Sequence, residues 1–499
     1  MKPDTLTIGR RGLFRGAGSV AAGAALAGPL GMLAARRAEA ATTIGTSPYG
    51  PVSPTKDLTT GLELLRLPKD FSYRSMSWTG MIMANGDPVP PRHDGMCCIP
   101  TPGTRGQEFT LIRNHENGQV AEIGTIDAPG KYDTTPAGGI PPSGGTTNIT
   151  VRRGQYVETV PSLGGTLTNC AGGMTPWGTW LSCEETTTTN PADGTPHGFV
   201  FEVSTDPKQT TGNPITEMGR MSHEAVAVDP GTGSVYLTED SRNKSGFYRF
   251  EPSDTSGKLG SLARGGKLTM AKVVGATNAA LNNPSRGDAY QLEWVDVEEP
   301  SLPPVQLDGF GTVAAPFAQG YLKGGAYFSR GEGIWWSATD RLFYWVDTGA
   351  GSDGNGRAGY GEGAVWAYDP ATERMECIFA SETQVAGNNP DNITVSPRGG
   401  IVLCEDGGAT NGPEARGARL LGLLPNGEAY TLGINNVELT AQDIAKLGGR
   451  SSDFFGAGDY RSSEWCGACF DPTGRILFVN LQTPGITLAI SGPWQRGNL

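Results

Sequence analysis

Asn169-Cys-Ala-Gly-Gly-Met-Thr-Pro-Trp-Gly-Thr-Trp-Leu-Ser-Cys-Glu-Glu185 puts a thiol, a Gly/Pro turn, a short apolar strand from Thr179 to Ser182 and two carboxylates into one run. Polar groups at a strand end are costly to bury without a partner, so the run reads as one edge of a metal site. Its layout recurs along the chain. A polar side chain opens a short strand, a turn follows, and a second strand delivers another polar group 14 to 16 positions on: Cys170 to Glu184, Glu224 to Glu239, Glu332 to Asp347, Asp391 to Glu405 and Glu464 to Asn480. A looser copy runs from Asp94 to Asn114 or Glu116.

The six copies start roughly 54 to 108 positions apart, which leaves room each time for about four strands. That is the period of a β-propeller, whose blades cannot bury their faces alone and stack around a central channel. Strand-turn-strand units such as Gly233 to Glu239, Gly363 to Tyr368 and Gly474 to Val479, with turns such as Asp229-Pro-Gly-Thr-Gly233 and Asp471-Pro-Thr-Gly474, support an all-β fold. The expectation is a six-bladed β-propeller over residues 91–499 with loop insertions, preceded by an extended Pro-rich lead-in over 41–90. The poorly patterned stretch 251–320 is expected to be an insertion covering one channel mouth, and Leu439 to Leu447 is the best helical segment.

Residues 1–40 stand apart. Arg10-Arg11-Gly-Leu-Phe-Arg15, an Ala/Gly-rich apolar stretch and Ala38-Glu39-Ala40 read as a twin-arginine export signal cleaved before Ala41. The pathway implies the twin-arginine translocase as a partner during export, a periplasmic or extracellular destination and a folded, often cofactor-loaded passenger. No later stretch has the ~18 unbroken apolar residues of a membrane helix, so no membrane anchor is expected. Without residues 1–40, Lys+Arg falls from 39 to 33 and Asp+Glu from 51 to 49, which moves the net charge from -12 to -16. Nucleic acid is therefore excluded as a partner class. With only four His, the carboxylate surplus favours Ca²⁺ over a histidine-rich zinc site. Eight Cys are too sparse for a disulfide scaffold.

Acidic pairs close several strands: Glu184-Glu185, Glu239-Asp240 and Glu405-Asp406. Alternation sends neighbours to opposite sides, so one of each pair can face the channel, and like charges crowded there call for cations. Cys170 is the odd donor, because thiolate selects iron or zinc rather than calcium; a small buried core cysteine is the other reading. Arg330, two residues before Glu332, offers a fork that matches phosphate oxygens or pairs with a neighbouring carboxylate. Arg220 and His223 are further candidates of the same kind. Cys466-Gly-Ala-Cys469 has redox spacing, but a turn and a strand follow where that motif needs a helix, so it reads as a structural pair or two packed thiols. No Gly-x-Ser-x-Gly elbow or P-loop stands out.

The opening run, with Ser222-His-Glu-Ala225, Arg330-Gly-Glu-Gly333, Asn389-Pro-Asp-Asn392, Glu405-Asp-Gly407 and the stretch around Glu464, resembles the PhoX-type alkaline phosphatases. The resemblance implies a six-bladed propeller with two iron ions and three calcium ions around a bridging oxo group, acting on phosphomonoesters; alkaline activity would follow from the need for deprotonated ligands, and the protein is expected to be a monomer. It implies Cys170 as the thiolate on iron, Glu224, Glu332, Asp391, Asn392 and Glu464 as the carboxylate and amide shell, and Arg330 on the phosphate. Glu184, Glu239, Asp240, Glu405 and Asp406 are further metal candidates. The family's Asn-Arg-Arg-Ile stretch is missing. The rival readings are a calcium-dependent lactonase or esterase and a non-catalytic calcium-stabilised binding propeller.

Overall fold

The computed structural model describes residues 43–408 and 417–499, so the signal expected over 1–40 lies outside the described residues. Six strands organise the rest: β1 (His93–Pro100), β2 (Asn169–Met174), β3 (His223–Val228), β4 (Gly331–Ser337), β5 (Pro390–Val395) and β6 (Trp465–Phe470). Each packs against the next, and β6 packs against β1, so together they form a closed ring of neighbours. From each of them an antiparallel sheet runs outward, which makes the fold all-β and propeller-like.

The sheet of β2 is the shortest, continuing through Thr179–Glu184 to Val200–Ser204. The sheets of β3 and β4 are joined at their outer edges, where Ala289–Val297 pairs with Arg374–Ala380. Residues 251–320, expected to cover a channel mouth, instead contribute Gly266–Val273 and Ala289–Val297 to this outer edge, with helix α1 (Ala315–Leu322) packed against both. Their strand pattern is hard to read because cross-strand ion pairs, Lys267 with Asp296 and Lys272 with Glu293, occupy positions where an amphipathic strand carries apolar residues. The helix expected over Leu439 to Leu447 runs from Ala441–Leu447, with Thr440 and Asp443 forming a capping box.

The stretch 41–90, whose prolines suggest an extended lead-in, carries three strands tied to the other end of the chain. Ser72–Met76 pairs with Ile486–Ser491 as the outermost strand of the β6 sheet. Leu65–Pro68 pairs with Ala429–Asn435 in the β5 sheet, and Val52–Thr55 follows it. Pairing the first strands with the last makes the two chain ends interdependent. Around this closure Leu65, Tyr73, Trp465, Leu488 and Trp494 form one buried apolar cluster.

The ring is tight because glycine lines it. A Cβ on Gly173 in β2 would lie 1.9 Å from the Val226 carbonyl oxygen of β3. One on Gly95 in β1 would lie 2.5 Å from Ala171 Cα of β2. Polar side chains then stitch neighbouring units: Asn114 Nδ2 donates to the Cys170 carbonyl at 3.0 Å, and Asn480 Nδ2 donates to the Asp94 carbonyl at 2.6 Å. Gly173→Ala should therefore destabilise the protein by about 2 kcal/mol or more, seen as a lower denaturation midpoint, whereas an alanine at the open position Gly354 should leave the midpoint within error.

Candidate metal centre

All six inner strands carry the same irregularity. Near the start of each, two residues oppose one on the partner strand, giving bulges over His93 to Met96, Asn169 to Gly172, His223 to Val226, Gly331 to Ile334, Pro390 to Ile393 and Cys466 to Cys469. A bulge bends its strand and re-aims the side chains on it. The residue just before the strand is also unusual in four units: Arg92, Thr168, Arg330 and Asn389 have φ of 52°, 46°, 65° and 48°. Non-glycine residues rarely adopt this left-handed region, and such strain concentrates at functional sites.

The second residue of each of the first five inner strands is Asp94, Cys170, Glu224, Glu332 or Asp391. The structure gathers them at one end of the ring in three groups, within each of which the ligand atoms lie within 4.8 Å of one another: Cys170, Glu185 and Glu224; Glu224, Glu332 and Asp391, joined to the first through Glu224; and, separately, Asp94, Glu464 and Cys466. Cys170 Sγ donates to Glu224 Oε1 at 3.2 Å. Buried Glu224 Oε2 and Asp94 Oδ1 have no hydrogen-bond partner. Asn392 sits beside the cluster, donating to Asp391 Oδ1 at 2.7 Å and accepting from Gly467 N at 3.0 Å.

Burial is the main reason the Glu224, Glu332, Glu185, Glu464 and Asp94 carboxyls are all pushed above the ordinary carboxylate range, with repulsion from one another adding to it. Asp391 is pushed up to about 7 by burial and by Asp406, against the pull of Arg330. The Cys170 thiol is raised by burial and then by Asp94 and Glu224. A cation placed among these groups would reverse all of these shifts.

Arg330 closes one side. Its Nε lies 3.1 Å from Asp240 Oδ1, and its Nη2 lies 2.8 Å from Glu332 Oε1, so in this structure the guanidinium is paired with carboxylates. Its side chain stays 22% exposed, which leaves it reachable from outside.

The acidic pairs are divided by strand alternation. Glu184 lies outside the three groups, and its oxygens accept from Leu167 N, His197 Nδ1, Gly198 N and Phe199 N. Glu405 accepts from Asn388 N and three Arg419 donors. Glu239 accepts from Tyr248 Oη at 2.6 Å and Gly246 N at 3.1 Å. The second members, Glu185, Asp240 and Asp406, lie toward the cluster and act on its carboxyls. Arg220 and His223 are spent elsewhere, Arg220 on His197 and Thr187 carbonyls and His223 on the Gly219 carbonyl.

The structure brings into the three groups Glu185 and Cys466, which were not among the named metal candidates, and Asp94, the head of the looser first repeat. One signal was available for Cys466. Glu464 to Asn480 is the longest of the five regular spacings, and the 14 positions that separate Cys170 from Glu184 reach Cys466 when counted back from Asn480. The two thiols of Cys466-Gly-Ala-Cys469 are not packed together. Cys469 belongs to an apolar cluster with Met96, Cys98 and Phe478, while Cys466 joins Asp94 and Glu464.

The family model described as Alkaline phosphatase PhoX matches residues 47–160 and 142–485 of the chain. Among solved structures, the chain is similar to Pseudomonas fluorescens PhoX in complex with vanadate, a transition state analogue, at 18% identity and a TM-score of 0.61, covering 92% of this chain and 99% of that one. A Pseudomonas aeruginosa periplasmic gluconolactonase matches at 12% identity and a TM-score of 0.30, covering 78% of this chain and 93% of that one. No curated protein matches the chain.

Glu239 gives a test of the division between structural and axial carboxylates. Burial pushes its carboxyl from 4.5 up to about 7, while Tyr248 and Gly246 oppose the shift. It therefore stays protonated in the fold after the unfolded chain has ionised, so its contribution to stability is lost as pH rises through that window. Glu239→Gln keeps a neutral acceptor. Its stability relative to the unsubstituted protein should rise between pH 4.5 and pH 8 by at most about 3 kcal/mol in urea melts, with metal content unchanged; a loss of bound metal would make Glu239 a ligand instead.

Proposed function

The chain belongs to the alkaline phosphatase PhoX family, and from that membership we propose an exported phosphomonoesterase whose iron and calcium ions are held at one end of a six-bladed propeller. It is a phosphatase, and its substrate is a phosphate ester. The closed ring of inner strands supports the six-bladed reading. Export rests on the twin-arginine pattern of residues 1–40, and no helix of the described residues is long and apolar enough to cross a membrane.

The observation that carries the metal assignment is the cluster of Cys170, Glu224, Glu332 and Asp391, whose two groups share Glu224 with its buried, unpartnered Oε2. The donor set fits the expected ions. Cys170 with Glu185 and Glu224 would hold iron, because thiolate is the donor that selects it over calcium. Glu332, Asp391 and the shared Glu224 are oxygen donors suited to calcium, and Asp240, Asp406, Glu464 and Asn392 lie close enough to complete the shell or brace it. When bound, these ions supply positive charge that polarises the phosphoryl group.

The chain's own contribution is to position and neutralise. Arg330 would exchange its bond to Asp240 for the phosphate oxygens, a bidentate match that its fork makes as well as it makes the carboxylate pair. Its left-handed backbone and the Glu332 contact keep the guanidinium aimed at the cluster. Asn114 fixes the Cys170 backbone through two carbonyl bonds, to Cys170 at 3.0 Å and Ala171 at 2.7 Å.

Metal analysis of protein exported through its own signal should return iron together with calcium; calcium alone contradicts the iron assignment. In a p-nitrophenyl phosphate assay, Cys170→Ala should lose iron and activity together. Arg330→Ala should keep its metal and lose roughly 100-fold in kcat/KM. Full activity in both variants contradicts the proposed site.

A further inference from the structure

We propose that Cys466, Asp94 and Glu464 form a second thiolate subsite, between β6 and β1, that takes a transition-metal ion. The proposal rests on reading the cage as a metal centre and extends it to a part of the ring for which neither the opening motif nor Cys170 accounts.

Position is the first argument. Cys466 pairs with Asn480 where the β6 bulge begins, as Asn169 pairs with Glu184 in β2, so it stands one place before the position of Cys170, and the two thiols reach the end of the ring from two different units. Its Sγ lies within 4.8 Å of ligand oxygens of Asp94 and Glu464, the same spacing that groups Cys170 with Glu185 and Glu224. Independently, Asp94 is 1% exposed and its Oδ1 has no hydrogen-bond partner, which leaves a buried acceptor directed at an unfilled role.

The surroundings suit a thiolate. Cys466 Sγ donates to the His93 carbonyl at 3.0 Å; on metal binding that proton leaves to solvent and sulfur bonds the ion. Nearby lies Arg113, fully buried and without a carboxylate partner among the described residues. Its donors go to the Ser77 carbonyl, His93 Nδ1, Thr487 Oγ1 and Thr147 Oγ1. A lone buried guanidinium gains from an anion, and Cys466 is one of the groups that steady its charge. A metal-bound thiolate would supply that anion. Gly467, at φ 60° and with room for no Cβ beside the Asp94 carbonyl oxygen, brings the β6 bulge onto β1 and the thiol onto Asp94. Cys469 faces the apolar cluster instead, which removes a Cys466–Cys469 redox pair as the alternative use of the thiol.

Cobalt(II), added to the mature protein after chelation and with the fold checked by circular dichroism, reports each thiolate through its charge-transfer band. The unsubstituted protein should show a band to which both sulfurs contribute. Cys466→Ser should keep about half of it and Cys170→Ser the other half, while the double variant shows none. The half retained in Cys466→Ser also shows that this variant folds. Asp94→Asn should weaken the Cys466 component about tenfold in cobalt affinity and spare the Cys170 component. A full band in Cys466→Ser, with complete loss in Cys170→Ser, overturns the second subsite and leaves the first assignment standing. No band in the unsubstituted protein contradicts both.

Discussion

Six strands can meet around one axis only where main chain touches main chain, and this protein achieves that with glycine. Gly95, Gly173 and Gly467 stand where any Cβ would run into the neighbouring strand. The close approach forces one extra residue into each inner strand, and in five of the six the resulting bulge turns a polar side chain toward the ring's end instead of into a sheet face. The tightness of the ring and the composition of the cage are therefore one property. A ring loose enough to carry side chains between its strands would have no reason to bulge there, and its carboxylates would remain in ordinary sheet positions.

The electrostatic consequence is a sorting of acids. Where two carboxylates end a strand, the first enters the protein and is neutralised by fixed donors, as Glu184 is by three backbone N–H groups and His197, or Glu405 by Arg419. The second faces the axis, where, among the described residues, Arg330 is paired with Asp240 and Glu332 against several buried acids. The first kind needs nothing from outside the chain. The second kind is stable as a charged group only beside a cation. This asymmetry lets the same local motif, an acidic pair at a strand end, hold the blades with its first member and leave its second for a cation.

Much of this was readable in the residues. Short alternating runs between Pro/Gly turns identified the sheets, and the recurrence of a polar group at the head of each unit pointed to Cys170, Glu224, Glu332 and Asp391 as neighbours in space. What escaped was information held by backbone geometry. Which carboxylate of a pair faces inward depends on a one-residue bulge that no composition reveals, so Glu184 was named in place of Glu185, and Glu239 and Glu405 were named alongside Asp240 and Asp406. Cys466 was hidden by its companion Cys469, because the familiar spacing suggested a pair when strand alternation with a bulge sends the two thiols to different places. The strands within residues 41–90 were masked by their prolines, since the pairing that fixes them comes from the far end of the chain.

The central claim is that the bulged ends of the inner strands hold iron beside Cys170. Anomalous scattering from crystals of the exported protein, recorded on both sides of the iron absorption edge, tests it most directly. The account predicts an iron peak bonded to Cys170 Sγ and within reach of Glu185 and Glu224. A map with no iron peak in the cage, or with iron only at sites remote from Cys170, would contradict it.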